Sequence, residues 1–387
     1  MAIAQPQILT AIYSPSFGAD PELFLTQNGN IIGAEKVIPK AGIDVAGNTK
    51  IVLDGVQVEL HLSPSTCRAT LGNTMRALFK QLHYTLSKSE GLSASFAPVV
   101  EVSKKEMDSL DEAAKQLGCA PSLNTYDPKA TIKVAKDFRQ RSAGGHIHIG
   151  LQQMIALKQS IQKDPKKFID LMDIFVGLPS VMIDRDPSVA ERRKVYGRAG
   201  EYRLPSYGIE YRTLDNFWLR SYQLMSFVFG MSKIATNIYG ISYVPHIDFN
   251  ESLIKNWDAA KIIFDSVDLK KVQKAINTND YDLARELWQP VAKFIRTYIP
   301  KQDSRGNGTQ DYIFALDAAN VDNFQYFCDE IHKKGIERWF PQEPMDHWLG
   351  LEDGHGIGWE AFLTQVVGGM RKYDELSEVI ASLKKES

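Results

Sequence analysis

Four short segments carry acid, histidine or arginine side chains two residues apart: Asp20 and Glu22 in GADPELF, Glu59 and His61 in VELHL, His146 and His148 in GGHIHIG, and Glu210 with Arg212 in GIEYRTL. Residues two apart on a strand share a face, so each pair meets either solvent or the lining of a cavity. For a single pair, the solvent side of a half-covered sheet is the ordinary explanation. Four pairs, rich in the types that bind divalent cations, shift the balance toward one common site. Carboxylates are hard oxygen ligands suited to Mg2+ or Mn2+, and a minority of imidazoles is compatible with both. A sheet face bearing Asp20, Glu22, Glu59, His146 and Glu210 has ligands for more than one ion. Zinc fits less well, because the site is rich in carboxylates and the cysteines lie elsewhere. Pro21, between the first two acids, predicts an edge or bulged position.

A second feature is DRDPSVAERRKVYGRAGEYRLPSYGIEYRTLDNFWLR, with arginines at 185, 192, 193, 198, 203, 212 and 220. The guanidinium fork suits bidentate contact with phosphate or carboxylate. Glu191, Glu201 and Asp215 are close enough in sequence to pair with several of them. Arg203 and Arg212 stand out, beside the Pro205 turn and on the Glu210 strand, and Arg198 is a further candidate for contact with a nucleotide. Metals beside arginines make a phosphoryl-transfer site, where the protein mainly positions the nucleotide and neutralises charge. The chain has no G-x-x-x-x-G-K-[ST], no G-x-G-x-x-G after a strand and no H-E-x-x-H. GHGIG at 354–358 reads as a turn before a helix starting near Trp359.

The elements that must hold these residues are legible in outline. Strands are expected at 17–25 and 56–62, with a hairpin through QNGN and a turn at Asp54-Gly55. Leu71, Met75, Leu78, Phe79, Leu82 and Leu86 recur at helical spacing, which predicts an amphipathic helix from Ser65 to about Lys88, with His83 an ordinary histidine. SASFAPVVEV reads as one strand and KKEMDSLDEAAKQLG as one helix stopped at Gly118. Helical sequence then runs from GGHIHIG to about Met182, followed by an arginine-rich loop and a strand at 208–214. Beyond Asn216 the pattern is mostly helical, as in DAAKIIFDSV, DYDLARELWQPVAKFIRTYI and VDNFQYFCDEIHKKG. The expected architecture is α+β, with a unit over 1–245 and a mainly helical portion over 246–387. SRGNGTQ at 304–310 is the best candidate for a mobile loop.

Composition sets the outer bounds. The 387 residues, 44% apolar and 24% charged, suit a globular protein with a sizeable core. A net charge of -2 gives no global field for nucleic acid or a membrane surface. Cys67, Cys119 and Cys328 are odd in number and widely spaced, which argues against a disulfide framework and for a reducing compartment. The first residues lack a basic leader pattern, and the longest apolar run, 174–183, is broken by Pro179 and too short for a bilayer. The expected location is the cytoplasm, with no membrane partner.

SAGGHIHIG resembles the glycine-flanked H-x-H strand of glutamine synthetases, and YRLPSYGIEYRTLDNFWL resembles their R-x-P segment followed by an E-x-R strand. FGADPELF and DGVQVELHLSP match the acid-bearing strands of the same superfamily. The chain is most similar to the glutamine synthetase-like carboxylate-amine ligases, in particular the phage COOH-NH2 ligase type 2 family. That family's pattern includes G-x-D-x-E, D-G-x-x-x-E, G-C-x-P, G-G-H-x-H and Y-G-x-x-x-x-Y-R-x-x-x-x-G-x-E-Y-R. The matches run in order from about 17 to 220, with GCAPSLNTYD at 118–127 supplying the G-C-x-P element.

The resemblance implies an antiparallel sheet forming an active-site cleft, Mg2+-ATP with Mn2+ as a substitute, and an acyl-phosphate route to an amide. A small-molecule or peptide carboxylate and a primary amine would be the substrates. It places Asp20, Glu22, Glu59, His146 and Glu210 at metal positions, and His148, Arg203 and Arg212 where phosphate or substrate carboxylate is bound. Of the two spaced glutamates that glutamine synthetases bring from the second strand region, only Glu59 has a counterpart, and His61 has none. No segment resembles their ammonium loop, so an amine on an amino acid, peptide or modified DNA base is expected. The superfamily often forms rings or dimers, which makes a homo-oligomer compatible with the resemblance, and a phage-encoded ligase would work in the host cytoplasm. Three other readings compete: a guanidino-kinase-like phosphotransferase on the same fold, a cupin-like oxygenase, and a non-enzymatic phage protein retaining the fold.

Overall fold

The computed structural model describes residues 15–115, 122–128, 139–244, 258–299, 321–335 and 344–349. The chain enters through β1 (Ser16–Ala19), breaks at Asp20-Pro21, and continues as β2 (Glu22–Gln27) into β3 (Asn30–Ile32). The turn uses Asn28 and Gly29, both with positive φ, as a two-residue hairpin that follows strand twist requires. A second hairpin joins β4 (Ile43–Ala46) to β5 (Thr49–Asp54), and a third joins β5 to the long β6 (Gln57–Ser65). Gly55, with φ +59°, makes the tight return after Asp54.

Helix α1 (Arg68–Leu86) follows, with its expected apolar positions buried. The segment expected as one strand divides at Ala97-Pro98 into β7 (Leu92–Ser95), which pairs with β2, and β8 (Val99–Glu101), which pairs elsewhere. The expected helix after it is also two: α2 (Lys104–Ser109), capped by Ser103, and α3 (Glu112–Lys115). Leu110 is extended between them, and Asp111 accepts from Ala114 N to start the second. β9 (Leu123–Asn124), β10 (Gln140–Ser142), which pairs with β8, and β11 (Ile147–Gly150) complete this half.

A helical run then includes α4 (Ile155–Lys163), α5 (Lys166–Met172), a π-helical turn at Asp173–Gly177, and α6 (Leu178–Ile183). The stretch expected as an arginine-rich loop contains a helix, α7 (Val189–Val195), before β12 (Glu201–Arg203) and β13 (Gly208–Tyr211). α8 (Tyr222–Tyr243) is buried on all sides, as its nearly continuous apolar sequence demands. α9 (Ala259–Ser266), α10 (Leu269–Thr278), α11 (Tyr281–Tyr298), α12 (Val321–Lys334) and α13 (Pro344–Leu349) follow.

The main sheet runs β3-β2-β6-β1-β11-β13-β12-β9, with β5 and β4 extending from β6 and every pair antiparallel. The fold is α+β, as expected. Leu60, Leu62, Ile147, Ile149, Ile209 and Tyr211 turn one sheet face into a core shared with α1, α5, α6, α8, α10, α11 and α12. The alternate residues, Glu59, His61, His148 and Glu210, are thereby sent to the other face. The expected boundary at 245/246, the G-C-x-P residues 118–121, and the segments 304–310 and 354–358 lie outside the described residues. No described helix is long and apolar enough to cross a membrane.

Candidate active site

Strand register brings the paired residues together. Across β1, β11, β13 and β12, Gly18, His148, Glu210 and Arg203 stand in one row. Glu22 on β2 lies opposite Glu59 on β6. The break at Asp20-Pro21 lets one continuous chain pair with β6 on both sides of the kink, and Pro21 O still accepts from Leu60 N (2.9 Å). Asp20 thus reaches both histidines: its Oδ1 lies 3.1 Å from His146 Nδ1 and its Oδ2 lies 3.1 Å from His148 Nε2.

Two groups of potential cation ligands result. In one, ligand atoms of Asp20, His148 and Glu210 all lie within 4.8 Å of one another; in the other, those of Glu22, Asp54 and Glu59 do. Asp54, read from sequence as a turn residue, was the ligand candidate that the second strand region otherwise lacked. Its signal was the spacing D-G-x-x-x-E itself. The tight return at Gly55 folds the end of β5 back against β6, so both acids of that spacing face Glu22.

Electrostatics separates the two groups. Burial pushes the Glu22 carboxyl well above its usual range, and the charges of Asp54, Glu59 and Asp20 push it further, against one donated bond from Gly144 N (2.7 Å). Gln57 Nε2 also donates to Glu22, at 2.5 Å. Burial likewise raises Glu59, although His61 donates to it; that contact raises the His61 imidazole in turn. Asp20 behaves oppositely: burial acts to raise it, but His148 and His146 together hold it well below the usual carboxylate range. Burial acts to lower His148, but Asp20, with Glu210 and Glu59, raises it on balance, while burial lowers His146. Crowded acids, in a donor set of oxygens with imidazole, fit divalent magnesium or manganese.

The remaining expected residues are distributed as follows. His146 precedes β11 rather than lying in it, and is buried; Nδ1 faces Asp20 and also Glu210 (3.5 Å), and Nε2 meets the Tyr196 hydroxyl. Arg203 keeps partial exposure, with Nη1 3.7 Å from Glu210. Arg212 is fully buried, with Nε 3.0 Å from Glu210. Arg198 is engaged with the buried Glu201 (2.9 Å). Of the other arginines, Arg192 donates to the carbonyls of Thr213 and Leu214 (3.0 and 2.9 Å), supporting the chain after β13. Sequence reasoning missed Asp54, Tyr196 and Tyr207; Tyr207 holds His148 by Nδ1 (3.0 Å).

In GGHIHIG, Gly144 and Gly145 leave no room for a side chain: a Cβ on Gly144 would meet His146 Nε2 at 2.4 Å, and one on Gly145 the Asp215 carbonyl at 2.1 Å. Asn216 Nδ2 and Trp218 Nε1 donate to Glu22 O and Gly145 O (2.9 and 3.1 Å), tying the segment after β13 to both the start of β2 and the residues before β11.

The family model described as phage phiEco32-like COOH.NH2 ligase-type 2 matches residues 98–305, more than half of the chain. No curated protein and no solved structure matches.

Proposed function

The chain belongs to the phage phiEco32-like COOH.NH2 ligase-type 2 family, and from that premise we propose that it is an ATP- and Mg2+-dependent ligase joining a carboxylate to an amine through an acyl phosphate. The observation that carries this reading is the pair of three-ligand groups on one sheet face, with Arg203 beside them. Asp20, His148 and Glu210 would hold one cation and Glu22, Asp54 and Glu59 a second; such ions offset the repulsion between ATP and a substrate carboxylate. Arg203, partly open, contacts the transferring phosphoryl group. Arg212, buried against Glu210, fixes that carboxylate's orientation. His148 is held at Nδ1 by Tyr207 and presents Nε2 toward Asp20. The carboxylate substrate attacks the γ-phosphorus with loss of ADP, and the amine then displaces phosphate to leave the amide. An amine on an amino acid, peptide or modified base suits the lack of an ammonium-loop segment.

The test has two stages. Calorimetric titration of ATP with and without Mg2+ is expected to show metal-dependent binding that Glu210→Gln and Asp54→Asn each lose while folded. Carboxylate-dependent scrambling of 18O in the γ-phosphate bridge of ATP, without amine, then reports the acyl phosphate. ATP binding that is indifferent to Mg2+ and to both substitutions refutes the reading.

A further inference from the structure

Glu22 is held at its N–H, its carbonyl and its carboxyl. The N–H donates to Gly144 O (2.8 Å), the carbonyl accepts from Asn216 Nδ2 (2.9 Å), and the carboxyl oxygen Oε2 accepts from both Gly144 N (2.7 Å) and Gln57 Nε2 (2.5 Å). Gln57 opens β6 opposite Asp54. Because Val58 and Leu60 point into the core, it shares the other face with Glu59. Its side chain is 6% exposed, and Nε2 donates also to Ser142 O (3.1 Å) at the end of β10. Both neighbours are acceptors, which fixes the end of the amide that faces them.

We infer that Gln57 is a positioning residue of the Glu22–Asp54–Glu59 cation group, one that keeps Glu22 Oε2 for the protein and commits Oε1 to the cation. The inference rests on the cation-dependent reading above, and follows from donors and acceptors. A carboxylate oxygen carries two lone pairs, and the two donors, Gly144 N and Gln57 Nε2, take both of those on Oε2. A cation that joins Glu22 to Asp54 and Glu59 is therefore met through Oε1 alone. Contact through one oxygen suits the strict octahedron of Mg2+, whereas the larger and more flexible shell of Ca2+ accepts both oxygens of a carboxylate. A carboxamide makes the bond to Oε2 without bringing a charge; a lysine at this position would donate equally well and repel the cation. Partners that orient metal-binding carboxylates in this way are commonly worth 10- to 100-fold in affinity.

The experiment titrates the full chain with Mn2+ by electron paramagnetic resonance, without nucleotide, and reads Ca2+ by its displacement of Mn2+. The binding that Asp54→Asn abolishes identifies the group. In Gln57→Met, which keeps the length of the side chain and removes the donor, Mn2+ affinity at this group is expected to fall about 10- to 100-fold and Ca2+ affinity by less, so that preference for the smaller ion narrows. A purely structural role for Gln57 would weaken both ions alike. A crystal structure of the Mn2+-loaded wild type is expected to show Glu22 bound through Oε1, with Oε2 still on Gln57 and Gly144. Wild-type Mn2+ affinity in folded Gln57→Met, equal losses for the two ions, or a cation on Oε2 overturns the inference and leaves the ligase reading standing. Failure of the wild type to bind Mn2+ or Mg2+ overturns both. Should Gln57→Met not fold, the Mn2+-loaded wild type decides alone.

Discussion

Replacing Asp54 with asparagine should stabilise the metal-free protein and remove most of the stability that a divalent cation adds. Glu22, Asp54 and Glu59 have ligand atoms within 4.8 Å of one another. Two unit charges at that distance repel by about 3.5 kcal/mol at an effective dielectric of about 20. Part of this is already relieved, since burial, Asp54 and Glu59 together push the Glu22 carboxyl well up and favour its protonated form. Solvent reaches Asp54, which screens the remainder. Without metal at neutral pH, Asp54→Asn should therefore gain roughly 1–3 kcal/mol. A cation at 100 times its Kd should add about 2.7 kcal/mol to the wild type, and the variant should lose most of that increment. Urea unfolding in EDTA and in Mg2+, for both proteins, gives all four values. A variant less stable than wild type in EDTA, or one stabilised equally by Mg2+, would show that these three acids do not share a cation.

Three further outcomes are expected. Tyr207→Phe removes the bond that holds His148 at Nδ1, and divalent-cation affinity by calorimetry should fall about 10- to 100-fold with little change in fold stability. Burial pushes the Asp173 carboxyl up to about 7, against donated bonds from Tyr211 and Tyr126 (2.6 and 2.9 Å). The folded state thus keeps a proton that the unfolded chain releases near pH 4, so stability from this group is full below about pH 4 and is lost as pH rises to about 7. The loss is on the order of 4 kcal/mol at most, and denaturant midpoints of Asp173→Asn should lack it. Gly197 has φ +72°, and a Cβ there would stand 1.9 Å from Arg192 Nη1. Gly197→Ala should cost roughly 2–5 kcal/mol in chemical unfolding, from backbone strain and the displaced guanidinium.

Much of the site was legible because strand periodicity is local. Once VELHL, HIHIG and GIEYR are strands, their isoleucines and leucines must go to the core, and Glu59, His61, His148 and Glu210 must share the opposite face. Asn28-Gly29 and Asp54-Gly55 likewise announce their turns, because the required positive φ is a property of the residues themselves. Proline and extended residues at single positions, Pro98 and Leu110, divided elements that periodicity had read as continuous.

Which atoms face one another was decided only by the tertiary structure. Asp54 becomes a partner of Glu22 because β5 returns onto β6 while β2 pairs with the other side of β6. Arg212, two residues from Glu210, is fully buried against it, whereas Arg203, from the neighbouring strand, keeps partial exposure. The two histidines of one dipeptide repeat divide their contacts in the same way, His146 held by Tyr196 and His148 by Tyr207. Sequence determines the chemical types and the face they occupy, since those depend on neighbours along the chain. Partner, distance and burial depend on strand pairing and on helices brought from elsewhere, and these exist only once the core has closed.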